Sequence, residues 1–89
     1  MDNLLNVRTF LAAARLGSFA AAARSFSISP SVVSKRIGQL EHEFRVQLFH
    51  RSTRDLRLTD DGARLLPRCM KLVSEYDEMR DVGSKNEIS

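Results

Sequence analysis

The stretch SFSISPSVVSKRIGQLEHEF, residues 25–44, decides the predicted fold because it contains a turn followed by a helix with a clear start. Ser29 is a suitable N-cap, since its hydroxyl can accept a hydrogen bond from an unpaired backbone N–H of the first turn. Pro30 follows at the first helical position, where its missing N–H costs nothing. Apolar residues then recur on one helical face, namely Val33, Ile37, Leu40 and Phe44.

A neighbouring face of this helix carries small, hydroxylic or basic residues. They are Ser31, Ser34, Lys35 and Gly38. A helix that binds DNA needs such a face, because it must come close to phosphates and base edges. An ordinary amphipathic surface helix has a similar pattern, so this stretch alone leaves both interpretations open.

Two shorter helices are predicted before this stretch. Residues 3–16 form the first, and Gly17 ends it because glycine readily adopts the left-handed conformation. Ser18 then caps a second helix over residues 19–26, whose run of alanines lets another helix approach closely. A short helix, a turn of three residues and a longer helix together predict a helix-turn-helix. A helical hairpin with no role in DNA binding is the alternative.

After Phe44 the sequence changes to short segments that favour extended structure. Residues 48–51 and 56–59 flank the turn 52–55, which predicts a two-stranded β-hairpin. Arginines cluster on it, at Arg51, Arg54 and Arg57. Such a hairpin could act as a wing that contacts phosphates or enters the minor groove. A basic turn exposed to solvent is the alternative.

A long helix is predicted from Asp60 to about Val82, with Gly83 and Ser84 ending it and a frayed tail beyond. Its apolar residues form a nearly heptad seam, at Leu65, Cys69, Leu72, Tyr76 and Met79. This apolar surface is too wide to be buried against three short helices, so we expect part of it to meet a second subunit. Pro67 should bend the helix without ending it, because the periodicity continues through it.

Composition narrows the classes of function. The 89 residues fit one domain, with no apolar run long enough for a membrane helix and no signal peptide, so we expect a soluble cytoplasmic protein. Residues 1–59 carry nine Lys or Arg against four Asp or Glu, whereas residues 60–89 carry five against seven. This asymmetry predicts a polyanionic partner for the N-terminal part.

No catalytic or metal-binding pattern stands out. The two histidines, His42 and His50, lack neighbouring cysteines or paired carboxylates at ligand spacing. No serine lies in a nucleophile motif, and no glycine-rich phosphate loop is present. The only cysteine, Cys69, lies on the apolar seam. We therefore predict no enzyme activity, no catalytic residue, no metal and no cofactor.

The order of these elements resembles the N-terminal DNA-binding domain of LysR-type transcriptional regulators over nearly the whole chain. The motifs that carry the resemblance are FLAAARLGSFAAAA at 10–23, SPSVVSKRI-x-QLE at 29–41, LFHRSTR at 48–54 and LTDDG at 58–62. The resemblance implies a mainly α fold: a winged helix-turn-helix in residues 1–59, followed by a linker and dimerisation helix in residues 60–83. Residues 84–89 would lead to an absent effector domain, which makes the chain a truncated piece of a larger regulator or the product of a remnant gene.

The resemblance also implies functional residues and partners. A homodimer would form through the seam of the linker helix and bind an interrupted inverted repeat in double-stranded DNA, regulating transcription. A small-molecule effector would bind only the missing domain. The implied DNA-binding residues are Ser29, Pro30, Ser31, Ser34, Lys35, Arg36, Arg51, Ser52, Thr53 and Arg54.

Two positions depart from the family pattern. Pro30 and Ser31 stand where many members have glutamine and then proline, so a side chain that could contact a base is missing. Arg45 stands where many members have glycine, so we expect the third helix to end differently or to extend by one residue. The alternative functions are a helical protein-interaction or dimerisation module and, more remotely, an RNA-binding domain.

Overall fold

The computed structural model describes residues 3–50 and 55–88, with side chains described through Gly83. The chain is mainly helical, as predicted. Its four helices are α1 (Asn3–Leu16), α2 (Phe19–Phe26), α3 (Pro30–Phe44) and α4 (Asp60–Ile88). The bounds of α1 and α2 are those predicted, and α3 begins at Pro30 as predicted.

Local signals explain the first three helices. The amide of Gly17, which has φ +72°, donates to the carbonyl of Ala13 over 2.9 Å and closes α1. The hydroxyl of Ser18 then accepts from the amide of Ala21 and caps α2. At the end of α2, Ser27 adopts the left-handed conformation, which turns the chain toward α3. The helix-turn-helix is therefore determined by residues close to each turn.

The core lies where α1 packs against α2, α3 and α4. Phe49 is its aromatic centre, with edge-on contacts to Phe10 at 5.6 Å and Phe19 at 5.7 Å between ring centroids. Two alanines of α1 and two of α2 are buried and allow the helices this close approach. The buried apolar residues are Val7, Phe10, Ala12, Ala13, Ala22, Ala23, Val33, Ile37, Leu40, Leu48, Phe49 and Cys69. Phe44, predicted on the buried face of α3, is exposed.

The predicted two-stranded hairpin is not formed in the described residues, which contain a single antiparallel bridge between Phe49 and Leu58. The pairing cannot extend beyond the bonded pair of Leu48 and Thr59. The amide of Leu48 donates to the carboxylate of Glu41, and the carbonyl of Thr59 accepts from Ala63 in α4. The amide and the carbonyl that would form the second hydrogen bond of this pair are therefore bonded to other groups. The tip, residues 51–54, lies outside the described residues.

The end predicted for α4 is wrong. Gly83 lies inside the helix, which continues to Ile88, so the region expected to fray is helical. One glycine costs about 1 kcal/mol in a helix interior, which is too little to end a helix of 29 residues. Pro67 also lies within this continuous helix, as predicted. No helix of the described chain is both long and apolar enough to span a membrane.

The first half of α4 is fixed on the helix-turn-helix. Leu65, Leu66 and Val73 pack against the core, and Cys69 is buried in it. Further along, the guanidinium of Arg8 in α1 lies 2.5 Å from the carboxylate of Asp77. The predicted seam is therefore divided, because Leu65 and Cys69 are covered by their own chain.

Candidate nucleic-acid interface

The N-terminus of α3 is exposed and electropositive. The hydroxyl of Ser29 accepts from the amide of Val32 over 3.4 Å and lies 3.0 Å from the hydroxyl of Ser31. The first turn contains no acidic residue that would neutralise the positive end of the helix dipole. A phosphate or a base edge can therefore approach this end without repulsion from a carboxylate of that turn.

The structure brings most of the predicted α3 contacts to one exposed region. These exposed residues are Ser29, Pro30, Ser31, Ser34 and Lys35. Ser31 and Lys35 are one helical turn apart, so their side chains project from the same face. Gly38 continues that face, and a Cβ placed there would meet no atom within 4 Å. The α3 surface is thus a narrow, smooth face with one cation near its centre.

Arg36 differs from the other predicted contacts because its side chain turns inward. It is half-buried, and its guanidinium donates to the hydroxyl of Thr9 over 3.4 Å. The same guanidinium lies 5.9 Å from the ring centroid of Phe26. These contacts join α3 to α1 and α2, and a contact of Arg36 with DNA stays a prediction. Helical spacing alone placed it beside Lys35 and could not show which way a long side chain would turn.

A depression beside Lys35 was not predicted from the sequence. It has a volume of about 720 Å³ and lies between α1 and α3. The amide of Asn6 donates to Gln39 over 3.2 Å within it, and His42 is exposed at its edge. His42 lies two helical turns after Lys35, so helical spacing could have indicated that both share a face. The exposed surface of α3 therefore continues past Lys35 to His42.

The base of the predicted wing presents His50 and Arg57, which are both exposed. The amide of His50 donates to the carbonyl of Arg57 over 2.9 Å, so the two chain segments run side by side. The predicted wing contacts Arg51, Ser52, Thr53 and Arg54 lie outside the described residues. Their contacts with DNA stay a prediction. The described residues include no group of three or more His, Cys, Asp or Glu side chains placed to hold a metal ion.

Residues 4–63, which span the three helices, the bridge and the start of α4, match the family model of the bacterial regulatory helix-turn-helix protein, lysR family. The chain belongs to the LysR family. The resemblance stated from the sequence motifs is thereby confirmed, and the helix-turn-helix formed by α2 and α3 is the DNA-binding motif of that family.

Curated relatives in the LysR family are transcriptional regulators. GalR of Pseudomonas putida is 42% identical over 77 residues, which cover 86% of this chain and 19% of GalR. DsdC of Escherichia coli is 53% identical over 62 residues, which cover 70% of this chain and 20% of DsdC. The chain therefore spans about a fifth of the length of these two regulators.

Solved LysR-type structures share the fold. The BenM DBD in complex with catB site 1 DNA superposes with a TM-score of 0.88 at 30% identity, covering 96% of this chain and 93% of that chain. Oxidized OxyR of Corynebacterium glutamicum gives a TM-score of 0.83 at 32% identity, covering 90% of this chain and 26% of that chain. The similarity to the BenM DBD extends over almost the full length of both chains.

Proposed function

We propose that this chain binds specific sequences of double-stranded DNA as a homodimer and thereby regulates transcription. The observation that carries the proposal is the exposed face of α3, where Ser31, Ser34 and Lys35 surround an electropositive helix end in a LysR-type fold. A helix in the major groove must present small and basic side chains, since bulky or acidic ones would keep it from the base edges.

Within this proposal the residues of α3 have different roles. Lys35 donates to the O6 and N7 acceptors of a guanine, which is worth about 1–3 kcal/mol of discrimination. Ser29, Pro30, Ser31 and Ser34 contact phosphates and sugars and so fix the position of the helix. With proline and serine at the helix start, direct contacts to bases are few. Sequence-dependent DNA shape then contributes a larger share of the specificity.

The wing is proposed to contact the flanking DNA backbone. Residues 51–54 include two arginines and two hydroxyl side chains, a combination suited to phosphate oxygens and to a narrow minor groove. The exposed Arg57 adds a third cation at the base of the wing. The paired segments that meet at Phe49 and Leu58 hold that base against the core.

The homodimer is proposed to form through an exposed apolar face of α4. Leu72, Tyr76 and Met79 are 52%, 43% and 69% exposed, and their spacing puts them on one face. Apolar side chains repeated on an exposed helix face favour pairing with a second helix. A two-fold dimer presents two α3 helices, which suits the interrupted inverted repeat expected of the operator.

Two further assignments follow from the family. We propose that any small-molecule effector acts on a domain beyond these 89 residues, because the relatives GalR and DsdC are about five times longer than the matched region. We also propose a cytoplasmic location, since a bacterial transcriptional regulator works where the chromosome is.

The experiment that tests the proposal is a selection of bound duplexes from a random pool, followed by gel-shift titration at increasing salt. We expect an interrupted inverted repeat to be enriched, with an affinity that falls steeply as salt displaces phosphate contacts. A protein-interaction module would enrich no sequence and show no salt-sensitive binding. Preference for single-stranded RNA over the selected duplex would instead favour an RNA-binding domain.

A further inference from the structure

A compact group of hydrogen bonds joins the end of α3 to the start of α4, and Glu41 lies at its centre. The backbone carbonyl of Glu41 accepts from the amide of Arg45, and from the amide of Val46 over 3.1 Å. Its carboxylate accepts from the amide of Leu48 over 2.7 Å. One residue of the DNA-binding helix thus holds three amides of the segment that leaves it.

The segment held by Glu41 is in turn bonded to the beginning of α4. The amide of Thr59 donates to the carbonyl of Leu48 over 3.0 Å, and its hydroxyl donates to the carbonyl of Gln47. That hydroxyl also accepts from the amide of Gly62 over 2.9 Å, which caps α4. The path from α3 to α4 therefore consists of hydrogen bonds among backbone groups, the carboxylate of Glu41 and the hydroxyl of Thr59.

Close packing supports the same connection. A Cβ added to Gly62 would clash with the carbonyl oxygen of Leu48 and lie 3.1 Å from its carbonyl carbon. The start of α4 thus rests directly on the backbone that Glu41 holds. Leu48 and Phe49 are both buried, so a displacement of this segment would also disturb the core.

The carboxylate of Glu41 is well suited to hold the buried Leu48. A hydrogen bond from a backbone amide to an ionised carboxylate is stronger than one between neutral groups. A buried amide without such a partner would lose its bond to water with no replacement. The same residue lies on the helix that we assign to DNA, where a negative charge by itself opposes the approach of phosphates. Its geometric role and its electrostatic effect therefore have opposite consequences for DNA binding.

We infer that Glu41 is a positioning residue for DNA binding. Its carboxylate fixes the base of the wing and the start of α4 relative to α3, so that the wing and the helix contact the same duplex together. The inference rests on the proposed function, because it specifies how the wing and α3, two parts of the proposed DNA-binding surface, are held in position relative to each other. It assigns to an acidic residue of the DNA-binding helix a role that needs no contact with DNA.

Two substitutions separate geometry from charge. Glu41→Gln removes the charge but keeps an oxygen at the same distance along the side chain, so it can still accept from Leu48. Glu41→Asp keeps the charge but shortens the side chain by one methylene, so the bond is lost. Glu43→Gln and Glu43→Asp are the matched controls, because Glu43 is exposed on the same helix.

The affinity of each variant is measured on the selected duplex and on a random duplex. The measurement is made at a temperature where circular dichroism shows every variant to be fully folded. We expect Glu41→Asp to bind the selected duplex roughly fivefold or more weakly, and Glu41→Gln to stay near the parent affinity. Hydroxyl-radical footprinting should show that Glu41→Asp loses protection at the wing-side flanks, while protection under α3 remains. Both Glu43 variants should keep the complete footprint.

The opposite order of affinities would overturn the inference. If Glu41→Gln binds more tightly than the parent and Glu41→Asp binds equally to it, with unchanged footprints, Glu41 acts only through its charge. Failure of the parent protein itself to bind any duplex would contradict the proposed function instead. The two failures are therefore distinguishable in one set of titrations.

Discussion

At the residue scale, Arg45 adopts a backbone conformation that few side chains favour. It ends α3 with φ 58°, in the left-handed region, and its amide bonds to the carbonyl of Glu41. The helix therefore ends at Phe44. The prediction that α3 would end differently from other family members, or extend by one residue, is wrong. The strain costs about 1–2 kcal/mol for a residue with a Cβ. The bonds made to Glu41 by residues 45, 46 and 48 offset that cost.

Replacing Arg45 with glycine should stabilise the protein. Glycine relieves the left-handed strain but loses more backbone entropy on folding, so the net gain should be about 0.5–1 kcal/mol. The melting temperature measured by circular dichroism should rise by a few degrees. Arg45→Ala is the control, because it removes the charge but keeps the Cβ and should give no such gain. An equal rise in both variants would assign the effect to the charge.

Single residues also show what the sequence could not indicate. The caps Ser18 and Ser29 were predictable because a hydroxyl and the amide it accepts from lie three residues apart in the chain. Glu41 and Leu48 are seven residues apart, and only the folded turn at Arg45 brings them together. The contact of Arg36 with Thr9 was not predictable for a similar reason, since Thr9 lies on another helix.

At the scale of elements, α4 has two parts with different surroundings. Leu65, Leu66, Cys69 and Val73 pack on the core. Met70, Leu72 and the apolar residues beyond Val73 are exposed. The heptad pattern is continuous through both parts, so the sequence could not show where packing within the chain stops. Burial of Cys69, which is 6% exposed, marks the part that belongs to the helix-turn-helix.

Chemical modification of Cys69 should report this division. Burial raises the pKa of the Cys69 thiol above its ordinary value, because the thiolate would lose hydration. In the native protein at pH 8 we expect a thiol reagent to react at least tenfold more slowly than in denaturant, and the rate to rise with pH. The absorbance of the released reporter group measures this rate. Equal rates in both states would contradict the packing of α4 on the core.

Only part of the wing structure could be predicted from the sequence. The sequence predicted that residues 48–51 and 56–59 run side by side, and Phe49 and Leu58 of these segments do form a bridge. The length of the pairing depends instead on the bonds that Leu48 makes to α3 and Thr59 makes to α4, which are tertiary contacts. A propensity for extended structure does not show that Glu41 and Ala63 would bond the backbone groups of Leu48 and Thr59.

At the scale of the whole molecule, α4 determines the shape. The chain extends 53 Å along its longest axis and 22 Å along its shortest, because a helix of 29 residues is longer than the three-helix unit is wide. The projecting part carries apolar residues with no cover in the described chain, at Leu72, Tyr76 and Met79. This shape suits a protein that joins two DNA-binding units through their long helices.

Replacing Leu72 with glutamate should separate the proposed dimer. A carboxylate in the middle of an apolar helix pair would be buried without a partner, which is strongly unfavourable. Sedimentation velocity at micromolar concentration should show a monomer. Ser74→Glu is the control, because it adds the same charge on the opposite side of α4 and should remain dimeric. A dimer that survives Leu72→Glu would place the interface elsewhere.

The central claim, that α3 makes specific contacts with bases through Lys35, is tested most directly by one pair of titrations. Lys35→Ala and the control Lys71→Ala, which removes an exposed lysine from α4, are each titrated against the selected duplex and a random duplex. We predict that Lys35→Ala lowers the ratio of specific to random affinity by roughly tenfold, whereas Lys71→Ala leaves that ratio unchanged. An equal loss of affinity on both duplexes would reduce Lys35 to a phosphate contact and contradict the claim.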